Sequence, residues 1–445
     1  MFRLLPTLAV ALLGASSVVA DDIPTCSLTN KCPEETPCCS QYGQCGVGAY
    51  CLGGCDPRMS FSLDACVPAP VCEDRSMTMD STDSLANVKD YLGDASKADW
   101  AVQGETVEHD GGVLLTMAPN TVGTVMASTV YMWYGNVKAR MKTGRGRGVV
   151  TAFILFSDVK DEIDYEWVGV DLEVAQTNYY FQGIPDYTHS GNITDLSDTF
   201  AEYHDYEINW TPDEIQWLVD GEVGRTVKKS DTWNKTANQW DYPQTPSRVQ
   251  ISIWPGGADT NAEGTISWAG GEIDWDSDDI KRDGYYYAAV SQVDIECWKT
   301  DSAPGTNSGT SYTYSDAKGT NDTVIDGDSS TILKSLLGTG LDMDKDYPKE
   351  SSSSSGSSEV IPGLSGGGPG TNGEAGGDSG TGTSGDSATG TDTTPACTQT
   401  GFTQDCSASS AGTSDDSTNI GVKQEQMLGA STFAALVAVA GMVWL

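Results

Sequence analysis

The stretch of sequence that most limits the fold is residues 161–169, which read Asp-Glu-Ile-Asp-Tyr-Glu-Trp-Val-Gly. Carboxylates occupy every second position there, at Glu162, Asp164 and Glu166. Because side chains alternate across a β-strand, these carboxylates share one face and the bulky apolar residues between them share the other. We therefore predict a strand with one face on a hydrophobic core and the other lining a groove. An acidic edge strand, whose charges discourage pairing with other chains, is the alternative.

Residues 74–298 continue in the same style, with short alternating runs separated by Gly, Asn, Asp and Pro, and they contain no convincing amphipathic helix. Turn pairs such as Asp220-Gly221 separate neighbouring runs. This number of strands indicates one all-β domain, a sandwich or jelly roll, over residues 73–300. The predicted strands are residues 112–117, 124–131, 135–142, 149–156, 163–172, 175–181, 201–210, 214–219, 221–226, 248–254 and 290–297.

The charge and the N-terminus indicate a secreted protein. The formal net charge of −38 excludes nucleic acid as a natural partner, because a polyanion would be repelled, and suits work on neutral polymers. Residues 1–20 have the layout of a signal peptide, with Arg3 before an apolar run and small residues before Asp21. We expect the mature chain to begin at Asp21. A transmembrane anchor is the weaker alternative, because the apolar run is short for a bilayer core of about 30 Å.

A dense group of cysteines marks residues 21–72 as a separate small module. The segment lacks helical or strand periodicity and has too little apolar surface for a core, so disulfides must hold it together. Cysteines at this density also imply an oxidising compartment. Nine is an odd number, so one of them should pair outside the module, and Cys297 is the candidate in the next domain. The nine are Cys26, Cys32, Cys38, Cys39, Cys45, Cys51, Cys55, Cys66 and Cys72.

Residues 301–412 are rich in Ser, Gly, Thr and Asp, and we predict a disordered stalk that cannot bury enough apolar surface to fold. The stalk is either heavily O-glycosylated or an unmodified linker. Cys397 and Cys406 are expected to pair locally. Residues 331–341 form a small apolar island to which the sequence assigns no role.

The C-terminus has the layout of a glycosylphosphatidylinositol (GPI) attachment signal. Residues 427–445 are almost wholly apolar, and a polar spacer and a group of small residues precede them. A transamidase would remove residues 413–445 and attach the lipid at Gly412, with Ser410 and Ser414 as neighbouring candidates. A retained tail anchor is the alternative.

The cysteine spacing resembles that of the hevein-like chitin-binding module, carbohydrate-binding module family 18. The resemblance covers about thirty residues, and it depends on the pair Cys38-Cys39, the Ser that follows and a Gly-x-Cys-Gly run. It implies that Ser40, Tyr42 and Tyr50 bind N-acetylglucosamine units, since aromatic rings stack on sugars and a hydroxyl bonds the acetamido group. Gln44 stands where the family often has a further aromatic, which implies weaker binding. A disulfide knot that only caps the next domain is the alternative.

The central strand resembles the Glu-x-Asp-x-Glu signature of glycoside hydrolase family 16, and flanking segments such as Ile253-Trp254-Pro255-Gly256-Gly257 extend the resemblance over residues 74–298. With a chitin-binding module before it and an anchored stalk behind, the chain is similar to the fungal Crh cell-wall transglycosylases. The resemblance implies a β-jelly-roll with an open cleft across a concave sheet.

Retaining glycosidases need an ionised nucleophile and a protonated acid roughly 5 Å apart. We assign Glu162 as nucleophile, Glu166 as general acid and then base, and Asp164 as the carboxyl that orients the nucleophile. Cα atoms four residues apart in a strand are about 13 Å apart, so the two glutamates must lean toward each other. Crowded like charges raise at least one pKa and keep the acid protonated.

Substrate-binding residues are proposed around these carboxylates. Trp254 and Trp268 are candidates on the acceptor side, where stacking raises the occupancy of a sugar over water. Tyr180 and Arg140 are candidates nearer the donor, and Asn178 is a further substrate-binding candidate. For these residues, core packing or a surface ion pair is the alternative.

No metal or cofactor is expected, because the three histidines are widely spaced and outside any ligand motif. Sequons at Asn192, Asn234 and Asn321 are candidate N-glycosylation sites. Asn209 is also in a sequon, but its predicted strand position and Pro212 argue against its use.

The leading hypothesis is a GPI-anchored, wall-bound transglycosylase that acts as a monomer. It would cleave chitin, hold the fragment as an ester on Glu162 and transfer it to β-1,3- or β-1,6-glucan or to another chitin end. The alternatives are a hydrolase of β-1,3 or mixed-linkage glucan and a non-catalytic chitin-binding wall adhesin.

Overall fold

The computed structural model of the protein describes residues 23–348 and two short strands near the C-terminus. It is built almost entirely from β-strands, as predicted. In chain order these are β1 (Cys38–Cys39), β2 (Cys45–Gly46), β3 (Ala69–Pro70), β4 (Arg75–Thr78), β5 (Leu85–Asn87), β6 (Trp100–Gln103), β7 (Thr106–His109), β8 (Gly112–Met117), β9 (Thr124–Met132), β10 (Gly135–Lys142), β11 (Val149–Ser157), β12 (Glu162–Val168), β13 (Ala175–Tyr180), β14 (Gly191–Ile193), β15 (His204–Trp210), β16 (Glu214–Val219), β17 (Glu222–Lys228), β18 (Trp233–Asn234), β19 (Gln239–Trp240), β20 (Ser247–Pro255), β21 (Tyr286–Cys297), β22 (Ser311–Tyr314), β23 (Val324–Gly327), β24 (Thr398–Thr400) and β25 (Thr403–Asp405).

Helices are short and lie in the connections. The two α-helices, which the sequence did not predict, are α1 (Glu263–Trp268) and α2 (Asp278–Asp283). Helix α2 begins at the N-cap Ser277, whose side chain accepts from the Ile280 amide, and ends at Gly284 in the left-handed conformation. Single 3₁₀ turns occur at Gly48–Cys51, Leu63–Ala65, Tyr187–His189, Lys229–Thr232 and Asn321–Thr323. Among the described residues, no helix is long and apolar enough to cross a membrane.

Two large sheets pack face to face and form the sandwich. Sheet A has the order β14-β13-β12-β11-β20-β9-β6-β5, and sheet B has the order β17-β16-β15-β10-β21-β8-β7, with β4 also paired to β21. Most pairs are antiparallel, which permits one face of each sheet to meet the core while the other faces outward. Strand β12 lies between β11 and β13 and is therefore an inner strand, so the acidic-edge interpretation is wrong.

The aromatic residues of β12 belong to the core between the sheets. Ile163, Tyr165 and Trp167 are at most 1% exposed, and the Tyr165 and Trp167 rings stack with centroids 5.4 Å apart. Trp217 of sheet B donates from Nε1 to the Asp164 carbonyl at 2.9 Å, which ties the two sheets together at this strand. Burying an apolar side chain of this size stabilises the fold by about 1.5–3 kcal/mol. The packing therefore fixes which face of β12 is turned outward.

Four disulfides hold the N-terminal module, and a fifth joins it to the sandwich. Cys72 pairs with Cys297 at the end of β21, which confirms that one of the nine cysteines pairs outside the module and that Cys297 is its partner. The pairs within the module are Cys26–Cys39, Cys32–Cys45, Cys38–Cys51 and Cys55–Cys66.

The prediction that a disordered stalk begins at residue 301 is wrong for residues 301–348. Strand β22 pairs with β23 and with β3, so the chain after residue 300 extends a small sheet that begins in the module. In the apolar island, Leu333 is 1% exposed and packs against the module cluster that contains Tyr50. Leu336 is also buried. The island thus covers apolar surface of a module too small to cover its own. The predicted Cys397–Cys406 pair and the site at Gly412 lie outside the described residues.

Candidate active site

The outer face of sheet A carries the three carboxylates in its middle. Strand β12 pairs with β11 so that Glu162 lies opposite Phe156, Asp164 opposite Ile154 and Glu166 opposite Ala152. On the other side of β11, strand β20 places Arg248, Gln250 and Ser252 in the same three rows. On the other side of β12, strand β13 adds Tyr180, Asn178 and Gln176 to these rows. Side chains from four adjacent strands therefore meet on one surface, with the acids near its centre.

The carboxylates are buried although they point away from the core. Glu162, Asp164 and Glu166 are 1%, 0% and 1% exposed. Glu162 Oε1 and both carboxyl oxygens of Asp164 and of Glu166 have no hydrogen-bond partner in the part of the chain that the structure describes. A buried polar atom without a partner costs about 1–3 kcal/mol, and charged groups cost more. Groups that folding leaves in this condition are suited to bind a polar ligand that supplies the missing partners.

The surroundings of the two glutamates favour different protonation states for Glu162 and Glu166. Burial raises the pKa of Glu162 to about 7, while Asp164 and the Lys160 ammonium act to lower it. Burial and then the charge of Glu162 raise the pKa of Glu166 well above its ordinary value. Burial and the charges of both glutamates likewise raise the pKa of Asp164. Lys160 therefore favours an ionised Glu162, and that charge keeps the proton on Glu166.

Two residues that the sequence reasoning did not select hold the start of β12. Asp161 is fully buried, and its carboxylate accepts from the Gln182, Gln244 and Thr245 amides and from the Thr245 hydroxyl. These bonds fix the residue immediately before Glu162. Lys160 has a positive φ of 66° and is 2% exposed, and burial lowers its pKa to about 8. The sequence signal that could have indicated both residues is the run Lys160-Asp161-Glu162, in which a lysine directly precedes the acids of the strand.

Four of the five predicted substrate-binding residues lie beside the carboxylates. Asn178 donates to the Tyr180 hydroxyl at 2.7 Å, and both residues are 1% exposed on β13. Trp254 and Trp268 stack with ring centroids 6.1 Å apart beyond the Glu166 row. Trp268 also donates from Nε1 to Gln176 Oε1 at 2.8 Å, and Gln176 lies opposite Glu166. The aromatic pair therefore borders the acid end of the site.

The prediction that Arg140 lies near the donor is wrong in this structure. Arg140 belongs to β10 of sheet B, where it points outward and pairs with Asp205 at 3.1 Å. The core of the sandwich separates it from the outer face of sheet A. The surface ion pair, which was the alternative interpretation, is what the chain forms.

The expected open cleft is closed by the N-terminal module. Its residues 40–42, which we term the module loop, lie over β20 and the adjoining strands. Gln41 Oε1 accepts from Arg248 Nη2 at 3.3 Å and from Gln250 Nε2 at 3.0 Å. The main-chain carbonyl of Gln41 accepts from Lys160 Nζ at 3.0 Å. Tyr42 packs against the cluster that contains Trp254 and Trp268. The carboxylate face is thus covered by another part of the same chain and is not part of the core.

The three predicted sugar-binding residues of the module are turned toward this interface. Ser40 and Tyr50 are each 8% exposed, and Tyr42 donates to Gln103 of β6 at 3.3 Å. Together with residues of β6, β9 and β20 they line a cavity of about 70 Å³. That volume is far below the roughly 300–1,000 Å³ of ordinary ligand sites. The face that the resemblance assigns to chitin is therefore occupied by the sandwich.

The other predicted sites are distributed over the surface. Asn192 is exposed on β14, whereas Asn234 and Asn321 are half-buried, and Asn321 lies in the folded part of the predicted stalk. Asn209 lies on β15, in line with its predicted strand position, and donates to Gln216 of β16. In the described part of the chain, the only group of three potential metal ligands is Cys26, Cys32 and Cys39, whose sulfurs are already in disulfides.

The chain is similar in sequence to a known family of enzymes and to several known proteins. The family model for Glycosyl hydrolases family 16 matches residues 94–270. Crh-like protein 3 of Botryotinia fuckeliana is 65% identical over 337 residues, which cover 76% of this chain and 75% of that protein. Congo red hypersensitive protein 2 of Saccharomyces cerevisiae is 48% identical over 325 residues, covering 72% and 69%. Among solved structures, the apo Crh5 transglycosylase is 29% identical with a TM-score of 0.48, and the match covers 61% of this chain and 99% of that one.

Proposed function

This chain belongs to the Crh-like proteins of glycosyl hydrolase family 16, and on that premise we propose that it is a retaining transglycosylase of the fungal cell wall. It cleaves chitin and transfers the fragment to β-1,3- or β-1,6-glucan or to another chitin chain. The observation that carries the proposal is the set of three buried carboxylates on one strand face, of whose six oxygens five have no hydrogen-bond partner among the described residues. A binding protein has no need of such an arrangement, because it destabilises the free protein.

The proposed reaction uses the carboxylates in two steps. Glu166 gives its proton to the glycosidic oxygen as the ionised Glu162 attacks the anomeric carbon, so the bond to the leaving chain breaks and a glycosyl ester forms. Glu166 then takes a proton from an acceptor hydroxyl, which attacks the same carbon and releases Glu162. Asp164 lies between the two glutamates and orients the nucleophile. The order of the pKa values, with Lys160 beside Glu162, supports these roles.

The aromatic pair supports transfer to a sugar in preference to water. Trp254 and Trp268 border the Glu166 end of the site, where the acceptor hydroxyl must lose its proton. A sugar stacked on these rings is held near the ester, which raises its effective concentration relative to water. Tyr180 lies opposite Glu162 and Asn178 opposite Asp164, and we propose that both residues contact the donor.

The remaining features fit a protein that works outside the cell. We propose that the N-terminal module binds chitin through Ser40, Tyr42 and Tyr50 when these residues are free of sheet A, that the chain carries N-glycans at Asn192, Asn234 and Asn321, and that a GPI anchor is attached at Gly412. The five disulfides of the described residues support an oxidising compartment. We propose that the protein acts as a monomer at the plasma membrane and in the wall.

The direct test measures transfer from chitin oligomers to a fluorescent laminari-oligosaccharide, with the products identified by mass spectrometry. The wild-type protein should produce labelled hybrid chains, and Glu162→Gln should reduce their formation by about 10³-fold or more. A matched control is Glu207→Gln, a glutamate on the outer face of sheet B that should leave transfer unchanged.

Each contrary outcome supports a specific alternative. Reducing sugar that accumulates without lengthened or hybrid products would indicate a hydrolase. Oligomers that bind but remain intact after long incubation would indicate a wall adhesin. Full transfer by Glu162→Gln would contradict the assignment of the nucleophile.

A further inference from the structure

The contact between the module loop and β20 has a specific chemistry. The Gln41 side chain ends in a carboxamide, whose oxygen accepts from Arg248 and Gln250 at 3.3 and 3.0 Å. Its nitrogen donates to the Tyr42 hydroxyl at 2.5 Å. A primary carboxamide on a methylene group has the same carbonyl acceptor and N–H donor as the acetamido group of N-acetylglucosamine. Arg248 and Gln250 therefore bind a carboxamide that resembles the acetamido group. The acetamido group is the substituent that distinguishes chitin from glucan.

The donors lie where a bound chain would pass. Arg248 and Gln250 occupy the same cross-strand rows as Glu162 and Asp164, two strands away across β11. At about 4.8 Å per strand, the separation is roughly 10 Å, or about two sugar units measured along the surface. The floor between them is apolar, with Ala152, Ile154 and Phe156 forming one cluster. A chain bound over this floor would bring one acetamido group to Arg248 and Gln250.

We propose that Arg248 and Gln250 form an acetamido-binding subsite of the cleft, and that Gln41 fills this subsite until a donor chain displaces it. The inference deepens the proposed function and depends on it. It assigns the preference for chitin to two residues of β20, and it makes the module loop an intramolecular competitor of the substrate.

The closeness of the docking supports a specific contact over loose packing. Gly53 and Gly54 have positive φ values of 66° and 72°, and a Cβ at Gly53 would lie 2.4 Å from Arg248 Nη1. The Gly54 amide donates to Asp158 Oδ1 at 2.8 Å, on the sandwich side of the interface. The backbone of the module thus approaches the guanidinium more closely than any side chain would permit.

Displacement is required because the closed arrangement leaves too little space. The cavity between the module and β20 measures about 70 Å³, whereas ordinary ligand sites measure roughly 300–1,000 Å³. The apparent affinity for the donor is then the intrinsic affinity multiplied by the fraction of molecules in which the loop has left the cleft. Weakening the loop contact should therefore lower KM for the donor and leave kcat nearly unchanged.

The first experiment compares Gln41→Ala with Asn30→Ala in the full-length protein. Asn30 carries the same carboxamide in the same module, but it is exposed and donates within the module, to the Thr25 carbonyl at 2.8 Å. With chitin oligomers as donors, Gln41→Ala should lower KM about fivefold or more, because it removes the bonds to Arg248 and Gln250, and the loss of even one hydrogen bond shifts such an equilibrium by about that factor. Asn30→Ala should match the wild type. An unchanged KM in Gln41→Ala would overturn the role of the loop.

The second experiment tests the assignment to the acetamido group. The ratio of kcat/KM for chitin oligomers to that for fully deacetylated glucosamine oligomers is measured in wild type, Gln250→Leu and Arg248→Lys. Both variants should lower the ratio about fivefold or more, and the deacetylated donor serves as the internal control for folding. An unchanged ratio in both variants would overturn the subsite.

The two levels of the proposal fail in different ways. If the wild type transfers chitin fragments and neither KM nor the ratio moves in the variants, only this inference is overturned. If the wild type forms no transfer product from any donor, the proposed function fails, and this inference fails with it.

Discussion

In β12 of sheet A and β10 of sheet B, polar side chains on the outer face alternate with apolar side chains on the inner face. The outer faces differ in that the charges of sheet B are paired and partly exposed, whereas the carboxyl groups of sheet A are buried. On sheet B, Arg140 pairs with Asp205 at 3.1 Å and Lys138 with Asp294 at 3.8 Å, and these groups are partly open to water. On sheet A, Glu162, Asp164 and Glu166 are buried together. One face is therefore an ordinary solvated surface, and the other concentrates carboxyl groups away from water.

The difference separates residues that stabilise the fold from residues kept for another purpose. Exposed ion pairs contribute about 0–1 kcal/mol each, so sheet B neither gains nor loses much from its charges. Buried carboxyl groups without partners lower the stability of the folded protein, and their pKa values rise accordingly. Such destabilisation is tolerated where the groups act on a ligand. The contrast between the faces can be tested by neutralising one glutamate on each.

The largest expected difference is in activity. Glu166→Gln should lower transfer from chitin oligomers by about 10³-fold, because it removes the general acid. Glu207→Gln on sheet B should leave transfer within about twofold. The role of Glu166 is identified with a donor whose phenolic leaving group needs no proton, measured by release of the phenol under single-turnover conditions. Glu166→Gln should form the glycosyl-enzyme from this donor, whereas Glu162→Gln should not. Equal failure of both variants would contradict the division of roles.

A smaller difference is expected in stability, and it depends on pH. The raised pKa of Glu166 means that the folded protein binds its proton more tightly than the unfolded chain does. The free energy of unfolding therefore falls as pH rises above the ordinary glutamate pKa, until the folded group also ionises. Glu166→Gln removes this loss, so at pH 7 it should be more stable than wild type.

The measurement is denaturant unfolding of wild type and both variants at pH 4 and pH 7. The advantage of Glu166→Gln should be present at pH 7 and shrink toward pH 4, where most of the wild-type carboxyl is protonated in the unfolded chain as well. Glu207→Gln should stay within about 0.5 kcal/mol of wild type at both pH values. A pH-independent advantage would mean that the gain comes from packing and not from the charge.

Sequence alone predicted the strand, its two faces and the all-β class, because these follow from local alternation. It also predicted the link between the module and Cys297, because an odd cysteine leaves few choices. It placed Arg140 wrongly, since alternation identifies a face of a sheet but does not say which sheet the strand joins. The fold after residue 300 was missed because its apolar residues are sparse and become buried only against the module.

The closed cleft could not be predicted for a similar reason. The contacts of Gln41 with Arg248 and Gln250 join residues more than two hundred positions apart, and nothing in the local sequence of either segment indicates the other. The resemblance to a chitin-binding module favoured an outward-facing Tyr42. Docking between two folded parts depends on surface shape and hydrogen bonding, and the periodicity of apolar residues in the sequence predicts neither.

The smallest expected effect completes the comparison of the two faces. Arg140→Ala removes an ion pair with Asp205 whose side chains are 48% and 37% exposed, so water and salt replace most of the lost attraction. We expect a loss of stability below about 0.5 kcal/mol, measured by denaturant unfolding, and unchanged kcat/KM for chitin transfer. If Arg140→Ala instead lowers kcat/KM tenfold at unchanged stability, the outer face of sheet B takes part in binding the chain. The distinction between a solvated outer face on sheet B and a substrate-binding outer face on sheet A would then be wrong.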